Sequence, residues 1–141
     1  MDNTPFSFRG TGWAFPVSFT KQGVCNVDVT SDIRDIEQSL TILLSTRPGE
    51  RVMRPDFGCG LEDMLFEPAN LSLITYIKDL IHKAILYHES RVDLENIDIR
   101  TDGGVLDGRI EVVVTLRVRS SNGRFNYVYD YYKREATIQP L

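Results

Sequence analysis

Apolar positions recur at helical spacing in two stretches of the chain and at every second position in a third. Ile33, Ile36, Leu40, Leu43 and Leu44 form one stripe, which predicts a helix starting at Ser31 or Asp32, either of which can cap free backbone N–H groups. Arg47-Pro48-Gly49 ends it, since proline disfavours helix in the residue before it and glycine suits a turn. A longer helix is expected from about Asn70 to about His88. Ile74, Ile77, Ile81 and Ile85 make its main stripe, widened by Leu73, Tyr76, Leu80 and Ala84. So wide an apolar face implies burial against both a helix and a sheet.

After Arg91 the period changes to two. "NIDIRT" reads as a short strand, and "RIEVVVTLRVRS" as a longer one. Ile110, Val112, Val114, Leu116 and Val118 face one way, while Glu111, Thr115, Arg117 and Arg119 face water. Ser121-Asn122-Gly123 is a hairpin turn, and "RFNYVYDYYKREATI" returns as a tyrosine-rich strand. Residues 1–30 lack helical periodicity. "FRGTGWAFPVSF" predicts an extended arm whose aromatics pack on this domain or on a neighbouring subunit. The fold class is therefore α+β: an arm over 1–30, then a single domain over 31–141. In that domain two helices pack on an antiparallel sheet of at least three strands.

Composition narrows the function by exclusion. A chain of 141 residues with 42% hydrophobic and 26% charged residues suits one globular core. A net charge of −4 argues against a general nucleic-acid binder. No stretch approaches the roughly 20 apolar residues that cross a bilayer, and "MDNTPFSFRGTGW" does not read as a secretory signal. Cys25 and Cys59 are too few for a disulfide scaffold, so reduced thiols in a cytosolic site of synthesis are expected.

Between the helices lies "TRPGERVMRPDFGCGL", rich in charge and glycine. Glu50, Asp56, Glu62, Asp63 and Glu67 crowd this region, and paired carboxylates can cleave glycosides. Twenty acids in the chain make such crowding common by chance, and nothing supplies an apolar pocket around one of them. His82 and His88 lie six apart and point to different helix faces, so no metal or cofactor site is expected. No phosphate loop or nucleophile elbow occurs. The expected reading is a rigid connector with no catalytic residue. Pro48, Pro55, Gly58 and Gly60 fix its path, and Phe57 fills a pocket. Arg47, Arg51 and Arg54 are left to pair with acids on this chain or on a partner.

Two further features suggest binding. Glu89-Ser90-Arg91 ends the long helix, where an arginine reaches helix carbonyls or a partner's carboxylate. Tyr127, Tyr129, Tyr131 and Tyr132 line the last strand, and tyrosine serves equally in a core or at an interface.

"LLSTRPGERVMRPDFGCGLEDMLFE" resembles the central segment of the gene-25-like baseplate wedge family, found in contractile phage tails, type VI secretion systems and phage-tail-like injection particles. The likeness runs from about residue 30 to 135. Thr46-Arg47, Gly49, Arg51, Pro55, Phe57-Gly58-Cys59 and Leu65-Phe66-Glu67 match in order and spacing. The "GTGWAFP" segment is also similar to the N-terminal part of many members. The family's Glu-Pro-Arg motif falls on Glu89, Ser90 and Arg91, with serine in place of proline.

The resemblance implies a structural role with no catalysis and no cofactor. It implies six copies around an inner baseplate, bound to wedge subunits and sheath subunits, with hub or tube proteins as further neighbours. Direct contact with nucleic acid or membrane is not expected. The C-terminal sheet, residues 109–119 and 124–138, would template the first sheath ring by strand exchange. That role tips Tyr127, Tyr129, Tyr131 and Tyr132 toward an interface. It implies partner contacts for Glu89, Arg91, Arg47, Arg51, Arg54 and Phe57. Some members carry the label lysozyme, so a peptidoglycan-cleaving tail enzyme is the alternative.

Overall fold

The computed structural model describes residues 10–22, 24–64, 70–100 and 109–132. The segments 1–9, 65–69, 101–108 and 133–141 and residue 23 lie outside it, as do the side chains of Gln22, Val24, Cys25, Arg109, Tyr131 and Tyr132. The expected strand residues 133–138 and the acid Glu67 therefore fall outside the described residues.

The described residues open with a ribbon. Strands β1 (Thr11–Trp13) and β4 (Val29–Ser31) pair antiparallel, and between them β2 (Phe19–Gln22) pairs with β3 (Val24–Val27). Over the described residues, the extended arm expected from the sequence is built of these short strands, folded back as a ribbon. Its strands are only three or four residues long, and Trp13, Phe19 and Val29 point into solvent. A ribbon that buries no face leaves no alternation to read.

Helix α1 (Asp32–Ser45) follows directly. Ser31 stands at its N-cap without a side-chain capping bond. The Asp32 N–H instead donates to Gly10 O at 3.4 Å, which ties the helix start to the ribbon. Asp32 and Asp35 in the first turn suit the positive end of the helix dipole. Helix α2 (Leu71–His88) is capped by the Asn70 side chain, which accepts from Leu73 N at 2.8 Å. Between the helices, Leu61–Met64 forms a 3-10 turn.

The sheet has the order β5-β6-β7, from Val92–Arg100, Arg109–Val118 and Arg124–Tyr132, all antiparallel. Strand β5 starts four residues earlier than "NIDIRT" suggests. A bulge at Glu95 separates the pairs Leu94↔Leu116 and Asn96↔Thr115. The extra residue brings Ile97 onto the face that carries Val92 and Leu94, and Ile99 follows it there. Without it, Asn96 and Asp98 would point into the core. At the hairpin between β6 and β7, Asn122 takes the left-handed conformation (φ 56°). The turn is closed by Val118 N to Gly123 O, 2.9 Å, and Asn122 N to Val118 O, 2.8 Å.

One core joins these elements. Ile36, Leu40, Leu43 and Leu44 of α1 and Leu73, Ile77, Ile81, Ala84 and Ile85 of α2 pack with Val112, Val114, Leu116 and Val118 of β6. The other face of the sheet is charged. There Asp93 receives Arg119 at 2.7 Å and Arg117 at 3.6 Å, and Glu95 receives Arg124 at 3.0 Å. These partly exposed pairs add little stability each. Among the described residues no helix is long and apolar enough to cross a membrane.

Candidate assembly interface

The connector between the helices is a series of turns. Backbone bonds Glu50 N to Arg47 O (3.1 Å), Arg54 N to Arg51 O (3.3 Å) and Phe57 N to Arg54 O (3.1 Å) close successive β-turns. Gly49 N to Pro55 O (2.8 Å) ties the first to the third, and Cys59 N to Thr46 O (3.0 Å) closes the base. Gly58 at φ 131° permits that closure. A Cβ there would lie 2.5 Å from Thr46 O and 2.9 Å from Pro48 N.

Phe57 is half-buried against the core. The Arg51 guanidinium lies 4.3 Å over its ring, and His88 meets it edge-on at 5.1 Å. The His88 ring also bonds Asp56 O through Nε2 at 3.1 Å, so the loop is fastened to the end of α2. Arg47 reaches Glu62 at 3.2 Å and Asp63 at 3.6 Å, and Arg54 reaches Asp56 at 3.6 Å.

Glu89 and Arg91 form a clasp inside the fold. Glu89 is 4% exposed. Its carboxylate accepts two bonds from the Arg91 guanidinium, at 2.7 and 2.9 Å, and one from Ser39 Oγ at 2.7 Å. Arg91 Nη1 also bonds Asp35 Oδ2. Burial alone would push the Glu89 carboxyl up, but the Arg91 and Ser39 hydrogen bonds and the Arg91 charge outweigh it. The carboxyl is held below its ordinary value. The bonds to Glu89 raise the Arg91 guanidinium further against its burial, and Asp35 adds to them. The clasp joins α1, the end of α2 and the start of β5, so it is far from the surface ion pair worth little that a solvated helix end implies.

On β7, Phe125, Tyr127 and Tyr129 share the core-facing register with β6 residues Leu116, Val114 and Val112, and Tyr131 pairs with Ile110. Tyr127 is buried and its hydroxyl lies 2.7 Å from Thr41 Oγ1. Because Thr41 Oγ1 already donates to Glu37 O at 2.9 Å, Tyr127 is the donor in that pair. Burial pushes the Tyr127 phenol up to about 12. Tyr129 is half-buried, and burial raises its phenol as well. Tyr132 falls on the opposite register, paired with Arg109.

What β7 leaves outward is backbone. Val118 and Gly123 form a hydrogen-bonded pair, and antiparallel ladders alternate, so Leu116–Phe125, Val114–Tyr127 and Val112–Tyr129 are hydrogen-bonded pairs too. The intervening Asn126 and Val128 turn their N–H and C=O groups away from β6. Among the described residues no strand covers that edge.

The catalytic alternative finds little geometry. Glu50, Asp56, Glu62 and Asp63 are all exposed, and each carries an arginine or a backbone N–H partner. Cys59 is buried, and burial pushes its thiol up to about 12, away from nucleophilic use. No group of three or more potential metal ligands occurs among the described residues. Trp13, Asp35, Ile42, Arg51, Phe57 and Arg91 help to line an open groove of about 240 Å³ above the clasp.

Residues 30–123 match the model of the family described as baseplate wedge protein gp25. The chain belongs to that family. It is 36% identical to baseplate protein W of Escherichia phage P2 over 85 residues, 60% of this chain and 71% of that one. It is 36% identical to the baseplate wedge protein gp25 of Enterobacteria phage T4 over 70 residues, 48% of this chain and 53% of that one. A solved structure from Geobacter sulfurreducens that carries the name tail lysozyme is 38% identical. It covers 77% of this chain and 96% of its own, with a TM-score of 0.68. A chain of the six-fold symmetrised anti-feeding prophage baseplate is 28% identical, covering 91% of this chain and 89% of its own, TM-score 0.63.

Within this baseplate wedge fold, Glu89, Arg91 and Phe57 are placed by contacts inside the chain, and Arg47 and Arg54 hold neighbouring acids. Asp35 and Ser39 complete the clasp, and sequence reasoning passed over both. Their one legible signal is a spacing of four, which puts two polar groups on one face of an apolar helix.

Proposed function

We propose that this wedge-family chain joins the inner baseplate to the first sheath ring and templates sheath assembly through the open edge of β7. The observation that carries this reading is the outward-turned backbone of Asn126 and Val128. An ordered strand edge offers affinity through main-chain pairing, and alternate side chains set the register. Ordering a sheath arm costs entropy, so free subunits nucleate poorly. Edges preformed and held in a ring of six copies lower that cost. The chain is made in the cytoplasm, acts by assembly without turnover, and touches neither nucleic acid nor membrane. Arg51 and Arg54 face wedge subunits. Glu89, Arg91 and Phe57 serve the interface by holding its shape.

Removing β7 altogether would also remove Tyr127 from the core, so a point change separates pairing from folding. Val128→Pro deletes an outward N–H and places a ring on the edge while sparing every bond to β6. The purified variant should unfold within about 5 °C of wild type, a cost on the order of 1 kcal/mol. Particles carrying it should show complete baseplates without ordered sheath by electron microscopy. Normally sheathed particles would sink strand exchange at this edge. The name of the Geobacter relative motivates the enzymatic alternative, and clearing of a peptidoglycan suspension by the purified chain would establish it.

A further inference from the structure

Val52 and Met53 are the most exposed large apolar side chains among the described residues, at 93% and 88%. They occupy the two central positions of the turn closed by Arg54 N to Arg51 O. Turn centres favour Gly, Pro, Asn, Asp or Ser, so a Val-Met pair there lacks a local conformational reason. It lacks a folding reason too, since neither side chain enters the core. The turn is nevertheless rigidly built. Gly49 N to Pro55 O braces its neck, and Arg51 at its shoulder is stacked on Phe57, which rests on the core. Two basic residues flank the tip. Among the described residues the Arg54 side chain pairs with the exposed Asp56, and Arg51 pairs with no carboxylate.

We propose that the Val52–Met53 tip is a preformed anchor that seats in an apolar depression rimmed by carboxylates on a neighbouring baseplate subunit. This rests on the placement in the baseplate proposed above, and adds a second contact independent of β7. Holding the tip in one shape before contact removes most of the ordering cost of binding. The apolar pair supplies the buried centre and the arginines select an acidic rim.

The test is occupancy of this chain in purified baseplates, measured by quantitative mass spectrometry against a wedge subunit. Val52→Ser/Met53→Ser should reduce occupancy at least tenfold while leaving thermal unfolding of the isolated protein unchanged. Met53→Glu should do at least as much, and Met53→Lys should retain more chain than Met53→Glu because an acidic rim tolerates the cation. Wild-type occupancy in the double variant overturns the proposal, as does equal or better retention of Met53→Glu. An isolated wild-type dimer that the double variant dissolves assigns the tip to a second copy of this chain and also overturns it. Val128→Pro keeps the chain in the baseplate on either result, so loss of sheath and loss of occupancy test the two contacts separately.

Discussion

Replacing Glu89 with glutamine keeps the shape of the clasp and removes its charge. The carboxylate holds both forks of the Arg91 guanidinium and the Ser39 hydroxyl at a position 4% exposed. Glutamine retains a single carbonyl acceptor, so one charge-assisted bond is lost and the amide N–H₂ must turn toward Ser39 or face the guanidinium. A bond of that kind contributes about 1.5–3 kcal/mol. Breaking a fully buried pair costs about 3–5 kcal/mol. The Arg91 side chain is 31% exposed and keeps Asp35, which lowers the expectation for Glu89→Gln to about 2–3 kcal/mol. For a chain of this size that is roughly 8 °C in the unfolding midpoint.

Acid adds a second readout with a definite sign. Because the folded-state carboxyl lies below its ordinary value of 4.5, its contribution is present above that value and lost as pH falls through the folded-state value. Urea unfolding of both proteins from neutral to acid pH should therefore show a gap that narrows below the ordinary carboxylate range, since glutamine has no proton to take up. A gap under about 0.5 kcal/mol at pH 7 would refute the clasp as a stabilising element. A gap that persists unchanged to about pH 2 would refute the charge as its cause.

Gly58→Ala should cost about 3 kcal/mol, because the added carbon meets the backbone of Thr46 and Pro48 at a φ that L-residues avoid. Gly49→Ala, with nothing within 4 Å, should cost about 1 kcal/mol from backbone strain alone, and chemical denaturation of the pair measures the difference. Tyr127→Phe should lose about 1 kcal/mol at pH 7 with the Thr41 hydrogen bond. Its phenol is raised from 10 to about 12 in the fold, so the wild type sheds stability as pH rises from the first value through the second. The phenylalanine variant lacks that loss, and the gap between them should close in alkali.

How much of this was legible in the sequence depended on whether an element buries one face. The stripe Ile36, Leu40, Leu43 and Leu44 and the alternation Ile110 to Val118 each record such burial, and each appears where periodicity places it. Strand β5 was half hidden because its two apolar pairs, Val92–Leu94 and Ile97–Ile99, are out of phase across the bulge at Glu95. The N-terminal ribbon wrote no pattern at all, since its aromatics meet water on strands too short to alternate. At the site, Glu89 and Arg91 stood out by their place at the end of the long helix and again on a family motif. Their partners Asp35 and Ser39 lie 56 and 50 residues away in the chain, a proximity that only the packing of α1 against the end of α2 creates.

That packing changes what the motif means for assembly. A side chain that already fills its hydrogen-bonding capacity inside the fold has little left for a partner, and withdrawing it would expose a buried charge. Glu89 is in that position, Arg91 spends three of its five guanidinium donors on Glu89 and Asp35, and Phe57 lies between Arg51 and His88. Within this chain they fix the connector and the end of α2. Among the groups that fold formation leaves unspent are the outward backbone of Asn126 and Val128 and the apolar tip at Val52 and Met53. In the roles proposed above, the first would pair with an extended strand and the second would seat in a shaped apolar recess. In the role proposed above, two contacts that differ in kind would help to separate the subunit that holds the chain from the subunit it recruits.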